Sequence, residues 1–242
     1  MSQNILITGV SRGLGLEIAR EVLAAGWNVY GVSRTESPAW QALQAEQPER
    51  VHFLPLDLGE PETAAAAIFE QLLPPGTPLH GLVNNAAVAY DDLVTNLDVA
   101  RLRAMYAVNV FAPMVLTKAA IRRMLVEQTR GSLVHVSSVS AHTGYKGLAM
   151  YASTKGALEA FSLGTAREWG ARGIRSNCVA AGFMATEMSA KLTDEQRQRI
   201  FNRAALKQPT GLESVAATVV HLLGAGAASI TGEVVRVDGG AI

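Results

Sequence analysis

A tyrosine and a lysine four residues apart, Tyr151 and Lys155, are the side chains of this sequence best suited to chemistry. On a helix such a pair shares one face, so the phenol and the ammonium would stand together. A phenol ordinarily ionises near pH 10, and a neighbouring positive charge favours the phenolate and lowers that value. The pair reads as a poised proton donor. A second group opens the chain: Thr8, Gly9, Ser11, Arg12, Gly13, Leu14 and Gly15, directly after the apolar run 4–8. Glycines there let a strand turn tightly into a helix and let a pyrophosphate approach backbone N–H groups at the helix start. Thr8 and Ser11 would add hydroxyl partners. One group would hold a dinucleotide and the other would move a proton. Together they imply a redox enzyme acting on a carbonyl or an alcohol.

The end of the second strand chooses between nucleotides. An acid there suits the ribose hydroxyls of NAD, whereas positive charge suits the 2′-phosphate of NADP. The sequence reads Val32-Ser33-Arg34-Thr35, with no acid at the strand end and Glu36 lying beyond it. Arg34 and Arg12 are therefore expected to grip the phosphate, since guanidinium geometry matches it. The cofactor expected is NADP(H). Asp57 and Leu58 close the third strand, where a carboxylate would accept from the adenine amine.

The elements that must position these residues alternate. Strand-like runs occupy 4–8, 29–33, 51–56, 79–83, 131–137, 174–179 and 234–237. Helical periodicity covers 13–25, 39–46, 61–73, 97–125, 150–169, 193–201 and 212–223. Pro113 predicts a kink or break inside 97–125. The strands are nearly continuous apolar runs, as in a parallel sheet covered on both faces. The expected fold is α/β: one Rossmann domain over 1–242, a doubly wound, seven-stranded parallel sheet.

Composition narrows the classes. Charged residues are 17% of the 242, against about 25% in an average soluble chain. Much surface should therefore be buried, inside the fold or in an oligomer. A formal net charge of +0 excludes the basic field of a nucleic-acid binder. The single Cys178 excludes an internal disulfide and fits a buried strand thiol in a cytoplasmic protein. The N-terminus shows no secretory signal, and polar residues interrupt the Ala-rich stretches before 18, so no membrane span is expected. No other histidine has ligand spacing to His142, so no metal is expected.

Beyond the two opening motifs, the chain carries Asn84-Asn85-Ala86, Asn109, Ser138, Ile230-Thr231-Gly232 and Val237-Asp238-Gly239-Gly240 in order. With them it resembles the short-chain dehydrogenase/reductase family over essentially its whole length, most of all the bacterial 3-oxoacyl-[acyl-carrier-protein] reductases. Two positions depart from that pattern: Ala87 stands where the family usually has glycine, and Ala181 where it usually has proline. The resemblance implies a triad of Ser138, Tyr151 and Lys155, with Asn109 completing a tetrad by anchoring a relay water. Tyr151 would protonate the alkoxide, Ser138 would bond the substrate carbonyl, and Lys155 would hold the nicotinamide ribose. Cofactor contacts would include Asn85, Ala86, Gly182, Met184 and Thr186. Residues 183–206 match the family's substrate loop, with Phe183, Met184, Met188, Leu192 and Phe201 able to wall an apolar channel. His142, Tyr145 and Leu148, between the serine and the tyrosine, should line the substrate side. An acidic acyl-carrier protein would meet Arg172 and Arg130 at the rim, although Arg130 is one position out of register and Glu127 is near. The activity implied is NADPH-dependent reduction of a 3-oxoacyl thioester; the alternative is another ketone or secondary alcohol. A homotetramer is implied as well.

Overall fold

The structure, a computed structural model, describes residues 2–185 and 193–242. The chain runs β1 (Asn4–Thr8), α1 (Gly13–Ala24), β2 (Asn28–Ser33), α2 (Pro38–Glu46), β3 (Val51–Pro55), α3 (Pro61–Ala67) and β4 (Gly81–Asn84). It continues α4 (Val99–Tyr106), α5 (Ala112–Val126), β5 (Ser132–Ser138), α6 (Ser140–Thr143), α7 (Ala149–Trp169) and β6 (Arg175–Ala181). The last elements are α8 (Asp194–Phe201), α9 (Leu212–Leu223) and β7 (Val234–Val237). The strands form one seven-stranded sheet in the order β3-β2-β1-β4-β5-β6-β7, and every pairing is parallel. The strand order reverses between β1 and β4. That is the switch point where open α/β sheets bind ligands, beyond the carboxyl ends of the strands.

Both faces of the sheet are covered, and the pleat divides the core. Ile5 and Ile7 of β1 pack with Ile18 and Val22 of α1 and with Val215 and Val219 of α9. Leu6, between them, faces the other way, into a cluster with Ile68, Leu116, Ala120 and Met124. This period of two, with apolar side chains on both faces, is why the strands read as unbroken apolar runs.

The helical run predicted over 97–125 is present, but its break precedes Pro113. A π-helical turn, Ala107–Phe111, joins α4 to α5 and takes up the disruption in the backbone ladder, and Pro113 lies two residues beyond it at the start of α5. The combined run Val99–Val126 is 28 residues long, with a window of mean hydropathy 1.4. By length and composition it would cross a bilayer, which the sequence reading did not anticipate. Half of that window is buried inside the fold, where α5 packs on the sheet and on α3.

Candidate active site

The glycine turn is built by three interlocking contacts. Thr8 is buried, and its Oγ1 accepts from the backbone N–H of both Asn85 and Ala86, each at 3.0 Å. The Asn85 amide returns the tie, donating to the carbonyls of Thr8 at 2.9 Å and Gly9 at 3.2 Å. Gly9 has φ +76°, and a Cβ there would lie 2.9 Å from the Ala86 Cα, so only glycine closes this turn. Thr8 therefore stitches the loops after β1 and β4 together. This corrects its expected role as a phosphate partner: its hydroxyl is consumed inside the protein. Asn85 and Ala86, the expected cofactor contacts after β4, are held against the glycine turn by these bonds.

The helix that follows fits an anion. Arg12, at the N-cap of α1, is extended and makes no side-chain cap, and the first turn carries no acid. The first N–H groups of an α-helix have no partner within the helix, and its dipole favours negative charge there. The Ser11 N–H donates to Ser33 Oγ at 3.1 Å, tying the turn to the end of β2. Arg34 follows that strand end, and both it and Arg12 are exposed beside the turn. Leu14 and Gly15 are buried in the first turn of α1. Asp57 is exposed and accepts from the Gly59 N–H at 2.9 Å, a local turn that aims the carboxylate, and Leu58 is buried behind it.

Ser138 ends β5, in register with Ala181 at the end of β6, and Tyr151 and Lys155 occupy the first two turns of α7. All three stand at the carboxyl edge of the sheet, on the same side as the glycine turn. Ser138 Oγ accepts from the Ser140 N–H at 3.2 Å, which opens the short helix α6. Lys155 is buried and donates to the Val136 carbonyl at 2.8 Å, with its Nζ 5.6 Å from the centre of the Tyr151 ring. Burial pulls the Lys155 ammonium down to about 8, against the opposing influence of Cys178 and Glu159. Tyr151 goes the other way. Burial, then the negative charge of Asp91, push it up to about 12. The expectation that Lys155 lowers the phenol is thus corrected. Leaving water disfavours both charged forms, and that effect exceeds the attraction between them.

Asn109 is fully buried, and its side chain is committed. Oδ1 accepts from the Val88 N–H at 2.8 Å, while Nδ2 donates to the Val88 carbonyl at 2.8 Å and to Thr154 Oγ1 at 3.2 Å. Thr154 in turn donates to the Tyr151 carbonyl at 2.7 Å. The side chain thus fastens the loop after β4 to α7. Pro113, four residues on, has no N–H to return to the Asn109 carbonyl.

On the substrate side the expectations divide. Tyr145 and Leu148 lie in the link into α7, with the Arg203 guanidinium 5.8 Å from the Tyr145 ring centre. Gly182 follows β6 and donates to the Val237 carbonyl at 2.9 Å. Phe183 meets Phe201 of α8 at 5.8 Å between ring centres, and Met184 packs against the core face that carries α1. Thr186, Met188 and Leu192 lie outside the described residues. The Nε2 of His142 meets Glu159 Oε1 on α7 at 3.0 Å. Arg130 and Arg172 are corrected too. Arg130 precedes β5 and packs its aliphatic stem on Gly173, while Arg172 precedes β6. Both therefore sit at the amino edge of the sheet. Tyr151 stands at the other end of α7, about 27 Å away at 1.5 Å per helical residue, so within one chain the pair does not rim the site.

Two residues that bond to the candidate site residues were not foreseen, Thr154 and Glu159. Glu159 follows Lys155 by four residues, the same spacing that drew attention to Tyr151, and that signal was available.

A family described as Enoyl-(Acyl carrier protein) reductase matches residues 9–241. The chain is 33% identical over 235 residues to the 3-oxoacyl-[acyl-carrier-protein] reductase of Escherichia coli, covering 97% of this chain and 95% of that protein. It is 28% identical to the L-xylulose reductase of Caenorhabditis elegans, covering 98% and 95%. A solved short chain dehydrogenase/reductase family protein is 30% identical, with a TM-score of 0.87 over 98% of this chain and 96% of its own. The chain belongs to the short-chain dehydrogenase/reductase family. Two further solved structures carry NADP. One, from Beutenbergia cavernae, is described as an NAD(P) dependent gluconate 5-dehydrogenase, 27% identical, TM-score 0.91 over 99% and 96%. The other, ElxO, is 27% identical, TM-score 0.89 over 100% and 99%.

Proposed function

We propose that this chain is an NADP(H)-dependent oxidoreductase that interconverts a ketone and a secondary alcohol on a substrate free of a carrier protein. The observation that carries the reaction class is the gathering of Ser138, Tyr151 and Lys155 beside an uncapped, acid-free helix start. The cofactor supplies or accepts hydride when bound. The chain's residues do the rest. The N–H groups opening α1 hold the pyrophosphate, and Arg34 and Arg12 hold the 2′-phosphate. Ser138 donates to the substrate oxygen. Tyr151, with its proton held tightly, delivers that proton as negative charge develops on the same oxygen. Lys155 holds the nicotinamide ribose, and the Asn109 carbonyl anchors the water that refills the proton.

The placement of Arg130 and Arg172 at the far edge of the sheet favours an unconjugated substrate. A 3-oxoacyl thioester is the second reading, supported by the 33% identity to carrier-protein reductases. NADPH oxidation separates the two. The panel is a polyol-type ketose, a simple ketone, and an acetoacetyl thioester on coenzyme A and on carrier protein. Turnover of the free ketones with kcat/KM at least ten-fold above both thioesters is expected. The reverse order establishes the second reading.

A further inference from the structure

We propose that Glu159 is a positioning residue for Ser138: by holding Ser137 and His142 with one carboxyl oxygen, it locks the segment that carries Ser138 onto the helix that carries Tyr151 and Lys155. The inference rests on the role given to Ser138 in the proposed reaction. Ser138 is the last residue of β5, where the sheet supports the strand from one side. β4 pairs with β5 only up to His135, so residues 136–138 have ladder partners on β6 alone. The Val139 N–H adds one more bond on that same side, to the Ala181 carbonyl at 3.0 Å. The chain then turns into α6, which is four residues long. A single helical turn has little stability of its own. The direction of the Ser138 hydroxyl therefore depends on contacts from outside its segment.

α7 supplies those contacts from two residues one turn apart. Lys155 Nζ donates to the Val136 carbonyl at 2.8 Å. The Ser137 hydroxyl donates to Glu159 Oε1 at 2.5 Å and lies 3.5 Å from the Lys155 carbonyl. Consecutive strand residues point to opposite faces, so fixing Ser137 on α7 also fixes the roll of the strand end, and with it the direction of Ser138. The same Oε1 meets His142 Nε2 of α6 at 3.0 Å, so the segment is held on both sides of Ser138. Between the two anchors, Ser138 Oγ accepts from the Ser140 N–H at 3.2 Å, and the His142 N–H donates to the Val139 carbonyl at 2.9 Å. The Glu159 side chain is 13% exposed, so water competes little for its bonds. Without that oxygen the buried Ser137 hydroxyl keeps only the longer contact to the Lys155 carbonyl. A glutamine amide oxygen could take the same two bonds, so the clamp is a matter of acceptor geometry and not of charge.

The test couples Glu159 to Ser138 in the full chain. Glu159→Leu should lower kcat for carbonyl reduction about ten-fold or more, with NADPH affinity by fluorescence titration within about two-fold, because a small misplacement of a reacting group is costly while the glycine turn is untouched. Glu159→Gln, which keeps an acceptor oxygen, should hold kcat within about three-fold of wild type. Made in a Ser138→Ala background, Glu159→Leu should cost nothing further, since residues that act as a unit are not additive. Amide hydrogen exchange reads the clamp without substrate. The Ser140 N–H, bonded to Ser138 Oγ, should lose protection in Glu159→Leu and keep it in Glu159→Gln. If the leucine variant does not fold, Ser137→Ala removes one anchor and carries the same cycle and the same exchange measurement. An equal loss of kcat with and without Ser138, the mark of a merely structural role, overturns the proposal. So does a glutamine variant as poor as the leucine one, or unchanged protection at Ser140. Failure of wild type on every carbonyl substrate would instead remove the proposed reaction, and exchange at Ser140 would still decide the clamp.

Discussion

At the scale of single residues, the site separates the group that gives a proton from the group that carries a charge. Tyr151, pushed up to about 12, holds its proton at neutral pH, as the proposed proton donor requires. Tyr151→Phe should lower kcat by about 10²–10⁴, the range for a general acid, with NADPH affinity by fluorescence titration within about two-fold. Lys155 sets the pH range. It is charged below about 8 in the fold and below 10.5 in the unfolded chain. The unfolded state therefore binds the extra proton between those values, so stability rises with pH across that window, and the cost of burial is complete below it. Lys155→Met should melt at a higher temperature than wild type at neutral pH while losing turnover. An equal or lower melting temperature would contradict that cost. The candidate site residues Ser138, Tyr151 and Lys155 stood out because their types and spacing suit the proposed chemistry. The errors were of environment. Spacing placed Lys155 near Tyr151, but only the fold shows how little water reaches either. His142 was placed by chain position alone, and its turn toward Glu159 depends on how α6 leaves β5.

The elements were legible where their periodicity was strong, because parallel strands buried on both faces have no polar face to confuse the pattern. Boundaries drifted where pairing decides them. β4 begins at Gly81 and not at 79, and β6 runs on through Ala181 because Ser138 and Val237 flank it. Pro113 was read as the break itself, whereas the helix accommodates it through the π-helical turn Ala107–Phe111 just before it. The glycine turn shows how an element is fixed by its neighbours. A Cβ on Gly15 would overlap the Gly9 carbonyl oxygen and press on the Asn85 amide. Gly15→Ala should therefore cost about 1–3 kcal/mol in urea unfolding, the usual range for overpacking, and also weaken NADPH binding. Stability unchanged within about 0.5 kcal/mol would mean that α1 shifts to absorb the methyl.

At the scale of the whole molecule, the apolar side chains left outside the core fall in a few places. Val94 at 64% exposure, Val99 at 54% and Phe111 at 53% lie along the approach to α4 and its π-turn. Leu163 of α7 is 49% exposed beside the Thr231–Gly232 turn, and β7 ends the sheet with one edge unpaired. Side chains of this size in solvent forgo roughly 1.5–3 kcal/mol each relative to full burial, and an open strand edge invites pairing. We propose a homotetramer with 222 symmetry, in which α4, α5 and α7 meet their two-fold mates and β7 with α9 forms the second contact. Interfaces of this kind are isologous, so one substitution strikes twice in each. Phe111→Glu would bury two like charges against each other and should convert the tetramer to dimers held by the β7 side. Sedimentation equilibrium at micromolar concentration reads both states. Wild type sedimenting as a monomer refutes the assembly, and Phe111→Glu remaining a tetramer shows that the α4 and α5 face is not part of it.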